Sequence, residues 1–161
     1  MRIREKQKNS RMCVICGMEN EFGLKAQFYT MEDDSVMTLF SFRPDHQSYP
    51  GRVHGGLIGA MLDELGFRAF WVYDPETLGV TISLGVKYRR PVPYGVQLRG
   101  VGRVVKSSAR FVRSHAEIQD MEGHVLASGE MEYIRQNAAD ITEADFHTEM
   151  CYLLEDGLTE L

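Results

Sequence analysis

The segment Val53-His54-Gly55-Gly56-Leu57-Ile58-Gly59-Ala60-Met61-Leu62-Asp63-Glu64 carries a glycine pair after His54, is almost entirely apolar from there on, and ends in two adjacent acids. Its residues run to about Val72 before Asp74-Pro75 stops them. That spacing predicts one helix of about 27 Å at 1.5 Å per residue. Apolar residues occupy nearly every side of it, which predicts a helix enclosed by the rest of the chain. A carboxylate on such a helix is costly unless paired or hydrogen-bonded. Glu64 has Arg68 one turn on, the spacing of a helical ion pair. Asp63 has Gly59 and Ala60 a turn before and Gly66 and Phe67 a turn after, so its own helix offers it no cation. Two readings follow: a neighbouring backbone crosses at the glycines and caps the acid, or the acid lines a cleft that admits a substrate.

Outward from this helix the texture is that of strands. Leu24 to Thr30 and Ser35 to Phe42 flank Met31-Glu32-Asp33-Asp34 as a hairpin, with Val36, Thr38, Phe40 and Phe42 on one face. Residues 43 to 53 contain Pro44, Pro50 and Gly51 and form a loop. After the helix come segments 79–88, 96–106, 110–119 and 125–134. In the first of them Ile82, Leu84, Val86 and Tyr88 alternate with Thr81, Ser83, Gly85 and Lys87. Two strands, a long helix and four strands define an α+β chain in which an antiparallel sheet of about six strands wraps one central helix. Residues 1–22 read as a flexible leader, 23–135 as the domain, and 136–161 as a helical extension. In that extension Thr142 caps a short amphipathic helix carrying Phe146, Met150, Leu153 and Leu154.

The chain has 161 residues, 43% of them hydrophobic and 25% charged, which suits one ordinary globular domain. A net charge of −5 argues against a general nucleic-acid surface. No apolar run reaches the length of a membrane span, and the basic start Met1 to Lys8 has no apolar segment behind it. Three cysteines make no disulfide framework, so a reducing cytoplasm is the expected compartment. Cys13-Val14-Ile15-Cys16 is half of a zinc or redox pair, but no second pair accompanies it. A structural role without metal is therefore expected, since an ion would need ligands from elsewhere in the chain or from another subunit. His46, His115, His124 and His147 show no ligand spacing and read as surface residues or strand pairs.

The loop Tyr49-Pro50-Gly51-Arg52-Val53, the opening His54-Gly55-Gly56 and Asp63 nine residues after the histidine resemble the hotdog-fold thioesterases of the PaaI-like branch. Gly79-Val80-Thr81-Ile82 and Lys87-Tyr88-Arg89-Arg90-Pro91 resemble that family's third strand and following turn, so the likeness runs from about Gly23 to Ile134. Cys13 to Leu24 resembles a leader of some members. The resemblance implies hydrolysis of an acyl thioester, usually acyl-coenzyme A, at sites shared by two subunits whose sheets join. Asp63 would be general base or nucleophile, and the Gly55 amide would hold the oxyanion. Coenzyme A would then be part of the substrate, with no separate cofactor, and the partner would be a second copy, as dimer or dimer of dimers.

Helix geometry agrees: the unpaired N–H groups of a helix start favour negative charge. Gly55 and Asp63 lie about 12 Å apart along the axis, too far for one carbonyl to touch both. Each acid would face the helix start of a partner. Ser48 stands where the family commonly has Asn or Gln, with Gln47 beside it. Thr81 matches a position that often holds a water-positioning hydroxyl, or it is simply a strand threonine. His54 reads as orienting its loop. Gly56 flanks the oxyanion donor. Arg89 and Arg90, with Ser107 and Ser108 and their neighbours Lys106 and Arg110, are candidates for the coenzyme A phosphates. Met61, Phe67, Phe70 and Trp71 could line an acyl pocket or form core. An enoyl-thioester hydratase or dehydratase on the same fold, and a non-catalytic acyl-coenzyme A-binding module, are the alternatives.

Overall fold

The computed structural model describes residues 1–161. Seven strands and one long helix account for the architecture: β1 (Ile3–Lys6), β2 (Tyr29–Met31), β3 (Val36–Phe40), α1 (Gly55–Trp71), β4 (Leu78–Tyr88), β5 (Leu98–Ser107), β6 (Phe111–Gln119) and β7 (Val125–Gln136). The strands form one antiparallel sheet in the order β1-β2-β3-β5-β6-β7-β4. This is the hotdog architecture expected from the sequence, with a seventh strand added.

Two glycines let α1 sit directly on the sheet. A Cβ on Gly102 would fall 2.5 Å from the Leu65 carbonyl oxygen, and one on Gly100 would fall 2.8 Å from Leu65 Cδ1. Leu65, Leu62 and Met61 are wholly buried there among Val36, Leu98, Val112, Ala116 and Ile118. Each such aliphatic side chain contributes about 1.5–3 kcal/mol by leaving water. Met61, Phe70 and Trp71 are thus core, whereas Phe67 is only half-buried.

The helix is not enclosed on every side. Gly56 is exposed, and Leu57, Ala60, Asp63, Glu64 and Phe67 are only partly covered. These residues recur at three- and four-residue intervals and so form one stripe. The reason lies in β4, an edge strand of 11 residues that covers this side with one neighbour instead of two. Its apolar residues Val80, Ile82, Leu84 and Tyr88 are exposed.

Strict alternation along β4 also fails. A bulge between Thr81 and Ser83 inserts one residue, so that Thr81 lies opposite Tyr133 while Leu84 lies opposite Met131 and Val86 opposite Gly129. Thr81 therefore shares the helix-facing side with Leu84, Val86 and Tyr88 instead of opposing them.

The opening residues are integral to the fold, not a flexible leader. β1 pairs with β2, and Asn9, Ser10, Ile15 and Cys16 are buried. The Asn9 side chain holds this segment by donating to the carbonyls of Cys16 (2.8 Å) and Ala26 (2.9 Å). Of the first expected strand, Leu24 to Thr30, only Tyr29 and Thr30 pair regularly, and β2 runs on to Met31, which was expected in the turn. The C-terminal extension is likewise not one amphipathic helix. It comprises two single turns, α2 (Ala138–Ile141) and α3 (Phe146–Glu149), followed by extended chain bridged at Asn9–Tyr152 and Arg2–Glu160. Four-residue helices lack the length to sustain themselves. Phe146 nevertheless docks on Trp71, ring centroids 6.0 Å apart, and Met150 is buried. No helix is long and apolar enough to cross a membrane.

Candidate active site

Asp63 projects from the open stripe of α1 toward the start of β4. The Thr81 hydroxyl lies 3.0 and 3.1 Å from its two carboxylate oxygens. The Tyr133 hydroxyl donates to the Asp63 carbonyl at 2.8 Å and stands 3.2 Å from Oδ1. No cation contacts the carboxylate. Burial raises its pKa above the ordinary aspartate value, the hydrogen bonds from Thr81 and Tyr133 oppose that rise, and the Glu64 charge adds to it. Glu64 itself is bound to Arg68 at 2.8 Å, as its spacing predicted.

Tyr133 was not legible as a site residue, being one of several aromatic positions on a strand. Its reach to Asp63 depends on Gly66, where a Cβ would lie 2.5 Å from the tyrosine hydroxyl. Gly66 thus makes room for the contact. The same contacts pull the Tyr133 pKa upward, with burial the largest cause.

At the helix start, the backbone donors can be accounted for one by one. His54 Nδ1 accepts from the Gly56 N–H at 3.0 Å, and the His54 carbonyl accepts from Leu57 and Ile58 at 3.0 and 3.2 Å. Only the Gly55 N–H is left without an acceptor. His54 is therefore the N-cap of α1, its ring turned to the helix and not to its loop. Tyr88, a second residue that sequence reasoning missed, donates its hydroxyl to the Gly55 carbonyl at 2.8 Å. Its place at the end of a helix-facing alternation was the available signal.

In the preceding loop, Gln47 pairs with Val53 and its side chain accepts from Tyr94 at 3.2 Å. Ser48 is exposed, bonded through its backbone to Arg52 at 2.8 Å. The geometry brings neither side chain to Asp63. His46 is buried, not at the surface: it accepts from the Arg43 N–H at 3.0 Å and lies 2.8 Å from the Phe22 carbonyl, flanked by Phe22 and Phe42. Its place in a proline-flanked loop hid that role. His115 pairs across the sheet with Glu130 at 2.6 Å.

Arg89 and Arg90 are exposed and follow Tyr88, at the end of the sheet that carries the helix start. Ser107 and Ser108 lie at the opposite end, where Arg135 binds Ser107 Oγ, the Ser108 carbonyl and Asp74 at 2.7–2.9 Å. Within one chain, the two candidate phosphate contacts are about seven strand residues, or some 24 Å, apart. They were adjacent only in expectation, because sequence position does not reveal which end of an antiparallel strand is reached.

Comparison with known proteins fits this geometry. The thioesterase superfamily profile matches residues 50–127, which span the loop, α1, β4 and the strands through the start of β7. The rat acyl-coenzyme A thioesterase THEM4 is 29% identical over 92 residues, 56% of this chain and 38% of that protein. Its Xenopus laevis counterpart is 28% identical over 127 residues, 78% of this chain and 54% of that protein. The chain thus spans about half or less of the length of these relatives. A solved thioesterase superfamily protein superposes with a TM-score of 0.71 at 27% identity, covering 76% of this chain and 63% of the other. The chain shares its fold with solved thioesterase superfamily proteins, and its residues 50–127 resemble that superfamily in sequence.

Proposed function

We propose that the protein hydrolyses acyl thioesters, acyl-coenzyme A foremost, in the manner of the PaaI-like branch. The observation that carries this reading is Asp63: a partly buried carboxylate with no cation, held by a threonine hydroxyl on the uncovered side of an apolar helix. Such a group takes a proton from water attacking the thioester carbonyl, or attacks it directly. Charge developing on the carbonyl oxygen goes to the free Gly55 N–H, a donor type worth about 2.7–4 kcal/mol in the transition state. When water attacks, collapse breaks the carbon–sulfur bond and the proton taken by Asp63 passes to the departing thiolate; when Asp63 attacks, the thiolate leaves an acyl anhydride on Asp63, which water then hydrolyses, its proton going to the thiolate. His54 serves as a cap, because its Nδ1 lone pair is committed to Gly56. That commitment disfavours the hydratase reading, in which a histidine is the base.

Gly55 and Asp63 of one chain are too far apart to share a substrate, so the reaction needs a second copy. The long apolar edge of β4 supports pairing there, since an uncovered edge of this length invites another strand. In that dimer Asp63 with Thr81 faces Gly55 with Tyr88 of the partner subunit. The partner's Arg89 and Arg90 then lie near the Ser107–Ser108 end, so that phosphates could be met from both chains. A thiol-release assay over a panel of saturated and 2-enoyl acyl-coenzyme A esters tests the reading. Asp63→Asn should lower turnover about 100-fold or more, and equal turnover by both chains would overturn it.

A further inference from the structure

We propose that Cys13, Cys16 and Glu64 form a binding site for a thiophilic divalent cation, zinc foremost, with one coordination position left to solvent. The cysteine pair lacked further ligands in its own segment, and the fold supplies one from α1. The two sulfurs and a Glu64 oxygen all lie within 4.8 Å of one another. Cys13 Sγ stands 3.7 Å from Glu64 Oε2. Ligands at about 2.3 Å (sulfur) and 2.0–2.2 Å (oxygen) on a tetrahedral zinc are separated by about 3.5 Å, so the pair already spans nearly one edge of that figure.

Three further features are those of a built site. Cys13 Sγ accepts from the Ile15 N–H at 3.3 Å, and the turn closes through Gly17 N–H to the Cys13 carbonyl at 2.8 Å. Gly17 permits that closure, since a Cβ there would fall 2.3 Å from the Cys13 oxygen. Glu64 is oriented from behind: Arg68 holds Oε1 at 2.8 Å and leaves Oε2 toward the thiols. An outer partner of this kind is what fixes a ligating carboxylate. Cys16 and Arg68 are buried, while Cys13 is partly exposed and gives an entry path.

Charge closes as well. Two thiolates and the Glu64 carboxylate carry three negative charges, which one dication and the Arg68 guanidinium balance. Binding breaks two S–H bonds heterolytically and releases both protons to solvent, with no change of oxidation state. A metal here would tie the opening segment to α1 one residue from Asp63.

Titration of the reduced, chelator-treated full chain with cobalt(II) tests this. One equivalent should saturate a thiolate-to-cobalt charge-transfer band, and zinc should displace it. Cys13→Ser with Cys16→Ser should abolish the band, and Glu64→Gln, which can still accept from Arg68, should weaken binding tenfold or more. Circular dichroism of each variant checks that the fold persists. Absence of a saturable band in the folded native chain, its survival in the double cysteine variant, or native affinity in folded Glu64→Gln would each overturn the proposal. If Glu64→Gln fails to fold, Glu64→Asp replaces it, with the same tenfold criterion.

Discussion

The Thr81 hydroxyl bridges the two oxygens of Asp63, at 3.0 and 3.1 Å, across the gap between β4 and α1. The bridge exists because the bulge at Thr81–Ser83 turns Thr81 to the helix side. Its effect on Asp63 runs against that of burial. An ionised Asp63 is required for proton abstraction, so kcat/KM should fall as pH drops through a pKa above the usual aspartate value. Thr81→Val removes a donor to the charged form, leaving burial less opposed. The acid limb of the kcat/KM profile should therefore move to higher pH. Thr81→Ser, which keeps the hydroxyl, should restore the native limb. An unmoved limb in Thr81→Val would show that the bridge does not tune the acid.

The same burial has a consequence for stability. In the unfolded chain Asp63 ionises at its ordinary value, and in the folded chain at a higher one. Between the two, the folded state holds a proton that the unfolded state has lost, so stability declines as pH rises across that interval. Above it the whole penalty is present. Asp63→Asn removes the charge while keeping an oxygen for Thr81. It should raise Tm at pH 7, and the gain should vanish in acid, where the native carboxyl is protonated. Scanning calorimetry at several pH values reads this. A variant that is less stable than native at pH 7 would contradict it.

Legibility in the sequence followed how local each signal was. The long helix, the Glu64–Arg68 pair and the absence of a cation beside Asp63 on its own helix all depend on neighbours within a turn, and all stand in the structure. The four strands after the helix were likewise carried by period-two patterning and turn residues, whereas β1 was not foreseen. What was hidden depends on long-range pairing. The bulge looks like unbroken alternation until β7 is beside it, and Tyr133 reaches Asp63 only because Gly66 sits 67 residues earlier on the helix. Asn9, which anchors the opening segment to Cys16 and Ala26, is indistinguishable from any polar residue in a charged stretch.

Close approach of helix and sheet makes Gly102 a sensitive position. A methyl group there meets the Leu65 carbonyl oxygen at 2.5 Å and its carbon at 3.0 Å, and backbone cannot yield as a side-chain end can. Gly102→Ala should cost about 1–3 kcal/mol, the range for overpacking a core. Gly123→Ala provides the comparison. That residue has open space around it but a φ of +90°, so its cost comes from backbone strain alone and does not displace α1. Urea denaturation of both separates the two causes if near-ultraviolet circular dichroism, which reports on Trp71 and Tyr133, changes only for Gly102→Ala.

The proposed shared site fixes where two copies meet. Thr81 marks the position of Asp63 along β4, and Tyr88 marks that of Gly55. If the acid of one chain faces the helix start of the other, antiparallel pairing of the two β4 edges sets residue 81 opposite 88. The two-fold axis then passes near Leu84 and Gly85. Leu84→Cys, introduced with Cys151→Ser to remove the exposed native thiol, should crosslink to its own copy with a short bismaleimide. Glu76→Cys, well outside the paired stretch, should not. Mixing Asp63→Asn with a Gly55→Pro chain, which lacks the oxyanion N–H, adds a functional check. In a mixed dimer one of the two composite sites pairs an intact acid with an intact amide and the other has neither; random exchange of equal amounts makes about half of the dimers mixed, so activity should return to about a quarter of the native level. Crosslinking at 76 instead of 84, or no activity recovered on mixing two inactive chains that have exchanged, would remove the shared site from the mechanism.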